Sequence, residues 1–487
     1  GLDGLGRMNT YDAIGEWMLQ GGPLYQRLAT AIRDAVIRGD LLPGTVLPAE
    51  RHLAHGLSVG RSTVVGAYDV LRAEGVLASK QGSGTWVAGA ARNSASRSQP
   101  QESLTRAALS AGEKLIDLAT ASLPAAPEVA EALRALAGEL SDPLLAQTGY
   151  AALGLAEARR AVATMFTRDG LATSPEQILI TTGDQQALSL IGAHLLDSGD
   201  TVLVEDPTSA GLLDLVRRMP VVVRGTRSLS SAGATALVTA VRKADPKLVY
   251  LITSLGPEGR ITPTEELQTL ARGLRDFTGT VVEDASSRLL IRQEHPKYLA
   301  SLVGDSATVL TVGSMSKLFW GGLRVGWIRG DENMILRLSR AKARADLGTP
   351  MLSQLMSAWL LHRLVEIEAS RHAEVSHRAR QAAELLGELL PEFELPEDAG
   401  ALSFWMRLPR GASHPFSEVA RRHGVAVVAG ASLSVTGASD AYVRVALGVS
   451  ENAFAEGAHR LARAWEAYDR GAVPESFGSE VVPAHLV

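Results

Sequence analysis

The chain has 487 residues, of which 46% are hydrophobic and 21% charged, and its formal net charge is −5. That length exceeds what one hydrophobic core accommodates and predicts two or three domains. The absence of cysteine excludes disulfides and thiol chemistry, and no apolar run approaches the roughly 18 residues of a membrane helix. Residues 1–22 lack the basic start and apolar core of a secretion signal, so we expect a cytoplasmic protein without membrane association. With a negative net charge, any nucleic-acid binding must be local.

The first block, residues 22–88, has the order of helices found in a helix-turn-helix. Leu24–Arg38 carries apolar residues at helical spacing, and Pro48 suits the first position of a second helix. After the short turn Leu57–Gly60, a third helix begins at Arg61. The small polar and basic side chains at its start suit the major groove of DNA.

A glycine-rich hairpin follows the third helix. Val76–Ser79 and Thr85–Ala88 can pair as two strands around Lys80–Gly84, and glycine permits a close approach of the backbone to phosphate or to the minor groove. The block holds seven Lys and Arg against five Asp and Glu, a balance of +2 in a chain of −5. The pattern predicts a winged helix-turn-helix, and an ordinary helical cap domain is the alternative that it leaves open.

The composition changes twice after this block. Residues 89–113 are rich in Ala, Ser, Gln and Arg without hydrophobic periodicity, which predicts a linker. In residues 114–369, apolar strand-like segments alternate with helix-like ones, which predicts an α/β domain with a mostly parallel sheet covered by helices. The predicted strands are Ile178–Thr182, Thr201–Glu205, Val221–Val223, Leu248–Ile252, Val281–Asp284 and Ala307–Val312. Residues 370–471 begin with helical patterning and end in short strands and a helix, which predicts a smaller α+β subdomain.

Lys317 is the most informative residue of the chain. It lies between a predicted strand and the turn Gly322–Gly326, where a lysine can form a Schiff base with an aldehyde cofactor. The flanking Ser314 and Arg324 can hold the phosphate of such a cofactor. Asp284 ends a predicted strand, and strand ends of this kind point into the ligand crevice of a parallel sheet.

A glycine turn completes this set of residues. Gly183, Asp184 and Gln185 follow a predicted strand and begin a helix, which places backbone donors where a phosphate can bind. Taken singly, each feature has an ordinary structural interpretation: a surface lysine, a helix N-cap, a tight turn. Their combination favours a phosphorylated aldehyde cofactor.

The N-terminal block resembles GntR-type DNA-binding domains. The matching segments are Gly22–Tyr25, Gly39–Gly44, Leu47–Arg51, Arg61–Val64 and Gln81–Thr85. The resemblance implies DNA contacts from Arg51, Arg61, Ser62, Thr63, Gln81 and Gly82. Gly60 departs from the family, which usually has a serine before the recognition helix, and glycine costs little at that cap.

The remainder resembles fold-type I aminotransferases, and the two parts together resemble MocR-type transcriptional regulators. The resemblance implies pyridoxal 5′-phosphate as cofactor, with Lys317 as the Schiff-base lysine and Asp284 at the pyridinium nitrogen. The phosphate contacts that it implies are Ser314, Arg324, Asp184, Gln185 and Tyr150, the last reaching across a homodimer. Arg444 matches the arginine that binds the α-carboxylate of an amino acid.

Four positions depart from the aminotransferase pattern. Ser209 lies where the family usually has an aromatic ring that stacks on the cofactor. Ser286 lies where the family usually has a tyrosine, and Gly256 where it usually has an asparagine that contacts the phenolic oxygen of the cofactor. Asp184 places a carboxylate in the phosphate turn, where a like-charge pair at about 4 Å costs on the order of 4 kcal/mol. The lysine that can bond to the cofactor is present, whereas the side chains that usually hold the cofactor ring are absent. This combination favours a sensor over an efficient catalyst.

The sequence therefore predicts a homodimeric transcriptional regulator that binds a double-stranded DNA operator. Its aminotransferase-like part is expected to sense pyridoxal 5′-phosphate, with an amino acid or amine as a further effector. Two alternatives stay open: a working aminotransferase with an accessory DNA-binding domain, and a regulator whose large domain no longer binds the cofactor. Turnover of an amino donor with a keto acid, abolished by Lys317→Ala, would support the first alternative. An absence of cofactor binding would support the second.

Overall fold

The structure is a computed structural model. It describes residues 10–14, 17–19, 23–38, 40–41, 45–74, 76–80, 84–87, 115–139, 145–396 and 402–471. The predicted linker, residues 89–113, and the candidate DNA-contact residues Gln81 and Gly82 lie outside these ranges. Within them, no helix combines the length and the apolar character needed to cross a membrane.

The N-terminal unit packs helices against a small antiparallel sheet. Its helices are α1 (Thr10–Ile14), α2 (Leu24–Arg38), α3 (Glu50–Gly56) and α4 (Arg61–Ala73). Its strands are β1 (Val46–Leu47), β2 (Leu77–Lys80) and β3 (Gly84–Val87), paired in the order β1-β3-β2. The helix-turn-helix followed by a hairpin confirms the winged arrangement that the sequence predicts.

The core of this unit begins before the predicted block. Ala13, Ile14 and Trp17 are buried in the same cluster as Leu28 on α2, and Trp17 is 2% exposed. Tyr68 on α4 is also buried, and its hydroxyl donates a hydrogen bond to the carbonyl of Pro48 at 2.8 Å. Apolar residues on α2 and α4 therefore fix the position of α4, whose first turn stays at the surface.

A seven-stranded sheet forms the centre of the large unit, in the order β5-β11-β10-β9-β8-β6-β7. The strand β4 (Ile116–Asp117) lies outside this sheet. The strands of the sheet are β5 (Ile178–Thr181), β6 (Thr201–Asp206), β7 (Val222–Arg227), β8 (Leu248–Ile252), β9 (Thr280–Asp284), β10 (Thr308–Ser314) and β11 (Gly326–Arg329). β6 to β10 pair in parallel, and β11 is antiparallel to both neighbours. The sheet is mostly parallel, as predicted, although β11 was not predicted.

Helices cover both faces of the sheet because successive strand residues point to opposite sides. On β8, Val249 and Leu251 belong to one apolar cluster, and Leu248 and Tyr250 to the other. The helices of the large unit are α5 (Pro127–Glu139), α6 (Ala156–Arg168), α7 (Asp184–Leu195), α8 (Ala210–Val216), α9 (Leu229–Ala232), α10 (Ala234–Ala244), α11 (Thr264–Gly273), α12 (Leu299–Val303), α13 (Glu332–Asp346) and α14 (Met351–His362). This layered α/β architecture confirms the predicted fold class.

The last part of the chain forms a smaller α+β unit with its own core. Its elements are α15 (Leu364–Leu389), β12 (Ser403–Arg407), α16 (Ser413–Arg422), β13 (Val425–Ala426), β14 (Val428–Ala429), β15 (Tyr442–Ala446) and α17 (Glu451–Gly471). Phe416 and Trp465 meet edge to face with ring centroids 5.5 Å apart. β4 pairs with β13, and Leu118 is buried in this core, so the start of the aminotransferase-like region also packs here.

The helix α15 connects the two units of the aminotransferase-like region. Its Ile367 and Val375 lie in the large core, whereas Ala382 and Leu386 lie in the small one. The division into a DNA-binding domain (22–88), a linker (89–113), a large domain (114–369) and a small subdomain (370–471) stays our proposal.

The N-terminal unit contacts the small unit through α16. The Arg422 guanidinium donates hydrogen bonds to the carbonyls of Ser58 at 2.8 Å and Leu57 at 2.9 Å. The hydroxyl of Ser58 donates to the carbonyl of Pro415 at 3.3 Å. Because the Leu57–Ser58 turn lies just before α4, this contact joins the small unit to the start of that helix.

Candidate functional site

The candidate cofactor residues gather at the carboxyl ends of the central parallel strands. Ile252 on β8, Asp284 on β9 and Val312 on β10 lie side by side in the sheet. β10 continues through Ser314 into a π-helical turn, Ser316–Trp320, which contains Lys317. Such an edge is where ligands bind in parallel sheets.

Lys317 reaches back across the crevice to a main-chain carbonyl. Its Nζ donates a hydrogen bond to the carbonyl of Ala121 at 2.7 Å. Burial lowers the pKa of this lysine, Arg444 lowers it further, and the carboxylates of Asp184 and Asp284 oppose the shift. A lower pKa leaves more of the amine neutral and nucleophilic near neutral pH.

Asp284 is held by two hydrogen bonds. The backbone N–H of Ser286 donates to its Oδ1 at 2.8 Å, and the hydroxyl of Tyr250 donates to its Oδ2. Burial raises the pKa of this carboxyl, and the carboxylate of Asp184 raises it further, while these two hydrogen bonds oppose the shift. Sequence reasoning missed Tyr250, whose only signal was a lone aromatic hydroxyl in the aliphatic strand β8.

The phosphate-binding candidates surround the first turn of α7. Gly183, the N-cap residue, has φ = +88°, a left-handed conformation that favours glycine. The guanidinium of Arg324 lies over it and donates to the carbonyl of Thr182 at 2.9 Å. On the other side, the hydroxyl of Ser314 donates to Ser316 Oγ at 3.0 Å. These groups lie around the N-terminus of α7, a place that suits an anion.

Gly326 keeps the backbone around this N-terminus in place. A Cβ on Gly326 would lie 2.7 Å from the carbonyl carbon of Gly183 and 2.8 Å from the oxygen of Gly313. We expect Gly326→Ala to lower the free energy of unfolding by about 1–3 kcal/mol, since neither backbone segment can move away. Urea unfolding measures the change. Gly138→Ala is the control, because a Cβ on that helical glycine meets no atom within 4 Å, and equal effects of both substitutions would contradict the prediction.

Asp184 and Gln185 are the first two residues of α7. The backbone N–H of Gln185 donates to Asp184 Oδ1 at 2.9 Å, and the side-chain amide of Gln185 donates to the carbonyl of Gly211 at 2.8 Å. The Asp184 carboxylate acts electrostatically on both Asp284 and Lys317. The structure therefore brings the predicted phosphate turn close to the predicted cofactor lysine.

Arg444 approaches the same crevice from β15 of the small unit. Its Nη2 donates to the carbonyl of Ala119 at 2.9 Å. Its Nε is buried and has no hydrogen-bond partner among the described residues. Burial lowers the pKa of this guanidinium to about 10, against the attraction of Asp117. A buried arginine with an unpaired donor can bind a carboxylate.

The positions that depart from the aminotransferase pattern have local structural roles. Ser209 is the N-cap of α8 and accepts a hydrogen bond from the N–H of Leu212 at 3.5 Å. The backbone N–H of Ser286 donates to Asp284 Oδ1. Tyr150, the predicted phosphate contact from a partner subunit, is not one of these departures and is 71% exposed in this single chain. Its predicted role across a dimer stays a prediction.

The described DNA-contact candidates lie on α3 and on the first turn of α4. Arg51 on α3 and Arg61 and Ser62 on α4 are exposed, and Thr63 is partly buried. The side chain of Arg61 is 64% exposed, and its Nη2 lies 3.3 Å from a Glu50 carboxylate oxygen. An exposed cation at the start of such a helix can reach the major groove or the DNA backbone.

Both parts of the chain match known protein families. Residues 24–87 match the family of bacterial regulatory proteins named gntR, and residues 109–461 match aminotransferase class I and II. A 2-aminoadipate transaminase of Thermus thermophilus is 31% identical over 318 residues, 61% of this chain and 78% of that protein. The probable rhizopine catabolism regulatory protein MocR of Rhizobium meliloti is 29% identical over 338 residues, 63% of this chain and 65% of that protein.

Solved structures agree with this assignment. The crystal structure of LysN, an α-aminoadipate aminotransferase of Thermus thermophilus complexed with N-(5′-phosphopyridoxyl)-L-leucine, matches with a TM-score of 0.65 and 28% identity. The match covers 75% of this chain and 95% of that one. The chain thus belongs to the MocR-type regulators, in which a GntR-family helix-turn-helix is joined to a domain of the class I and II aminotransferases.

Proposed function

We propose that this DNA-binding regulator senses pyridoxal 5′-phosphate, together with an amino acid or amine, in its aminotransferase-like domain. The observation that carries the proposal is the partly buried amine of Lys317 beside Asp284, in a chain whose N-terminal unit exposes Arg61. A regulator gains ligand dependence when the ligand binds one arrangement of its domains better than another. The aminotransferase relatives in the comparisons support the choice of cofactor.

Four residues in the crevice fit this cofactor, whereas the carboxylate of Asp184 opposes its phosphate. When bound, pyridoxal 5′-phosphate supplies an aldehyde that condenses with primary amines, and a phosphate that serves as an anionic handle. Lys317 would supply the amine, and Asp284 would accept a hydrogen bond from the protonated ring nitrogen. Ser314 and Arg324 would bind the phosphate together with the N-terminus of α7, where the guanidinium already lies over Gly183.

Arg444 would bind the carboxylate of an amino-acid effector. Its buried Nε lacks a partner among the described residues, so an incoming carboxylate would satisfy a donor that is otherwise costly to bury. Arg444 belongs to the small unit and Lys317 to the large one. A ligand that contacts both would therefore bias the position of the small unit, whose helix α16 contacts the N-terminal unit through Arg422.

The same crevice argues for sensing over turnover. An efficient catalyst holds the cofactor ring between rigid groups, and Ser209 offers only a small hydroxyl that caps α8. Gly256 supplies no side chain at the position where an asparagine is expected. The alternative function, a working aminotransferase, is favoured by the relative named as a transaminase. It requires keto-acid formation from an amino donor, a reaction that Lys317→Ala would abolish.

We propose a homodimer as the functional assembly. Tyr150 is 71% exposed in a single chain, as expected for a residue that completes the site of a partner subunit. Two DNA-binding units in one assembly would read two half-sites of an operator.

Selection from a randomised duplex library, followed by anisotropy titration of the winning duplex, tests the function. We expect specific binding, and a change in affinity when pyridoxal 5′-phosphate and amino acids are added. A coupling of about 1–3 kcal/mol, equivalent to a 5- to 150-fold change in affinity, is typical of such systems. Failure to select any duplex would refute DNA reading. A selected duplex whose affinity ignores the cofactor and every amino acid would refute sensing alone.

A further inference from the structure

The carboxylate of Asp184 lies where an anion would otherwise bind. Asp184 is the first residue of α7, and its own Oδ1 accepts the N–H of Gln185 at 2.9 Å. That N–H is one of the donors that a helix N-terminus offers to a phosphate. Among the residues that the structure describes, no lysine or arginine forms an ion pair with this carboxylate. The anion site is therefore partly occupied by a built-in negative charge.

The charge of Asp184 also extends into the rest of the crevice. Beyond the effect of burial, it raises the pKa of Asp284 and contributes to raising that of Tyr250, and it opposes the lowering of the pKa of Lys317. One carboxylate that affects all three groups lies close to the place of the cofactor ring as well as to the phosphate turn. The charge therefore acts on the groups expected near the cofactor ring as well as at the phosphate turn.

The consequence differs for the phosphorylated and unphosphorylated forms of the same aldehyde. A phosphate monoester carries about −1.5 to −2 charges near neutral pH, so it is repelled by Asp184 while it is attracted by Arg324. Pyridoxal lacks the phosphate, so the Asp184 carboxylate does not weaken its binding in this way. Lys317 and Asp284 would contact groups that both forms share, the aldehyde carbon and the ring nitrogen. In water the 5′-hydroxyl of pyridoxal adds to its own aldehyde as a hemiacetal, so all affinities below are compared per free aldehyde.

We propose that Asp184 is a specificity-determining residue that removes the advantage of the phosphate, so that the crevice binds pyridoxal and pyridoxal 5′-phosphate with comparable affinity. The inference rests on the proposed function, because it requires an aldehyde ligand held by Lys317. It extends that function to the class of ligand, namely the unphosphorylated as well as the phosphorylated aldehyde. Asp184→Asn keeps an oxygen acceptor for the N–H of Gln185 and removes only the charge.

Calorimetric titration of the full chain with each aldehyde tests this inference. For the unsubstituted protein we expect the two dissociation constants to agree within about tenfold. In Asp184→Asn, binding of pyridoxal 5′-phosphate should tighten by about 10- to 100-fold and that of pyridoxal should stay constant. Asp276→Asn, an exposed position on the large unit, makes the same change in net charge and should match the unsubstituted protein. Asp184→Ser is a second variant in case asparagine disturbs the turn.

The outcomes separate the inference from the proposed function. A preference of 100-fold or more for the phosphorylated form in the unsubstituted protein would overturn the inference and leave sensing intact. Unchanged affinities in both Asp184 variants would overturn it as well. Binding of neither aldehyde to any of these proteins would overturn the cofactor part of the proposed function, and the inference with it.

Discussion

Lys317→Ala is expected to abolish the visible absorption band that pyridoxal 5′-phosphate acquires when it bonds to a protein amine. The substitution removes the amine that hydrogen-bonds to the Ala121 carbonyl at 2.7 Å. We expect at least about a 100-fold loss of affinity, since the remaining contacts to the ring and phosphate are noncovalent. Spectrophotometric titration of both proteins measures the band and the affinity together.

The band of the unsubstituted protein should also depend on pH in a defined direction. Only the neutral amine attacks an aldehyde, and burial lowers the pKa of Lys317 below its ordinary value. Band formation should therefore persist at a lower pH than with a solvent-exposed lysine and decline as the pH falls further. Lys243→Ala, at an exposed position on α10, is the control and should leave the titration unchanged. A band of full amplitude in Lys317→Ala would show that another amine takes the cofactor.

Arg61→Ala is expected to weaken binding to the selected duplex by about 10- to 100-fold, equivalent to roughly 1–3 kcal/mol. Arg61 begins α4, its side chain is 64% exposed, and a Glu50 oxygen 3.3 Å away restrains it on the α3 side. The surface ion pair is weak, so its loss should leave the fold stable. Anisotropy titration at several salt concentrations measures the affinity and its salt dependence.

The salt dependence distinguishes the two ways in which Arg61 can act. A phosphate contact would reduce the slope of log affinity against log salt by about 1, whereas a base contact would change the preferred sequence. Arg407→Ala provides the control, because that arginine is half exposed, pairs with Glu394 and belongs to the small unit. Equal affinities of the Arg61 and Arg407 variants would remove Arg61 from the DNA interface.

The regular elements were predictable where local pattern determines them. The bounds of α2 and β8 coincide with the segments predicted from helical spacing and from a short aliphatic run. β11 was missed because it spans only Gly326–Arg329 and directly follows a glycine-rich turn, which locally indicates a loop. Its antiparallel pairing with both β5 and β10 depends on contacts between distant segments, and no local pattern encodes these.

The residues of the site were predictable where the type of side chain indicates a chemical role. Lys317, Asp284 and Arg324 stand out by residue type at strand ends and turns, and the structure brings them to one crevice. Tyr250 was not recognised, because an aromatic residue in an apolar strand is typical of a core. The acceptor of the Lys317 hydrogen bond is a main-chain carbonyl, that of Ala121. Every residue type offers such a carbonyl, so the sequence contains no signal for it.

The contact between α16 and the N-terminal unit depends mainly on one side chain, that of Arg422. Arg422 donates to the main-chain carbonyls of Leu57 and Ser58, acceptors that do not depend on the side chains at those two positions. Mutations that retune the DNA-reading surface can therefore accumulate without disturbing this contact. Conversely, a substitution of Arg422 would remove two of the hydrogen bonds of this contact, keep the one from the Ser58 hydroxyl to the Pro415 carbonyl, and leave the DNA-reading side chains intact. Substitutions on the exposed start of α4 and a substitution of Arg422 should therefore act separately, the first on DNA binding and the second on the contact between the two units.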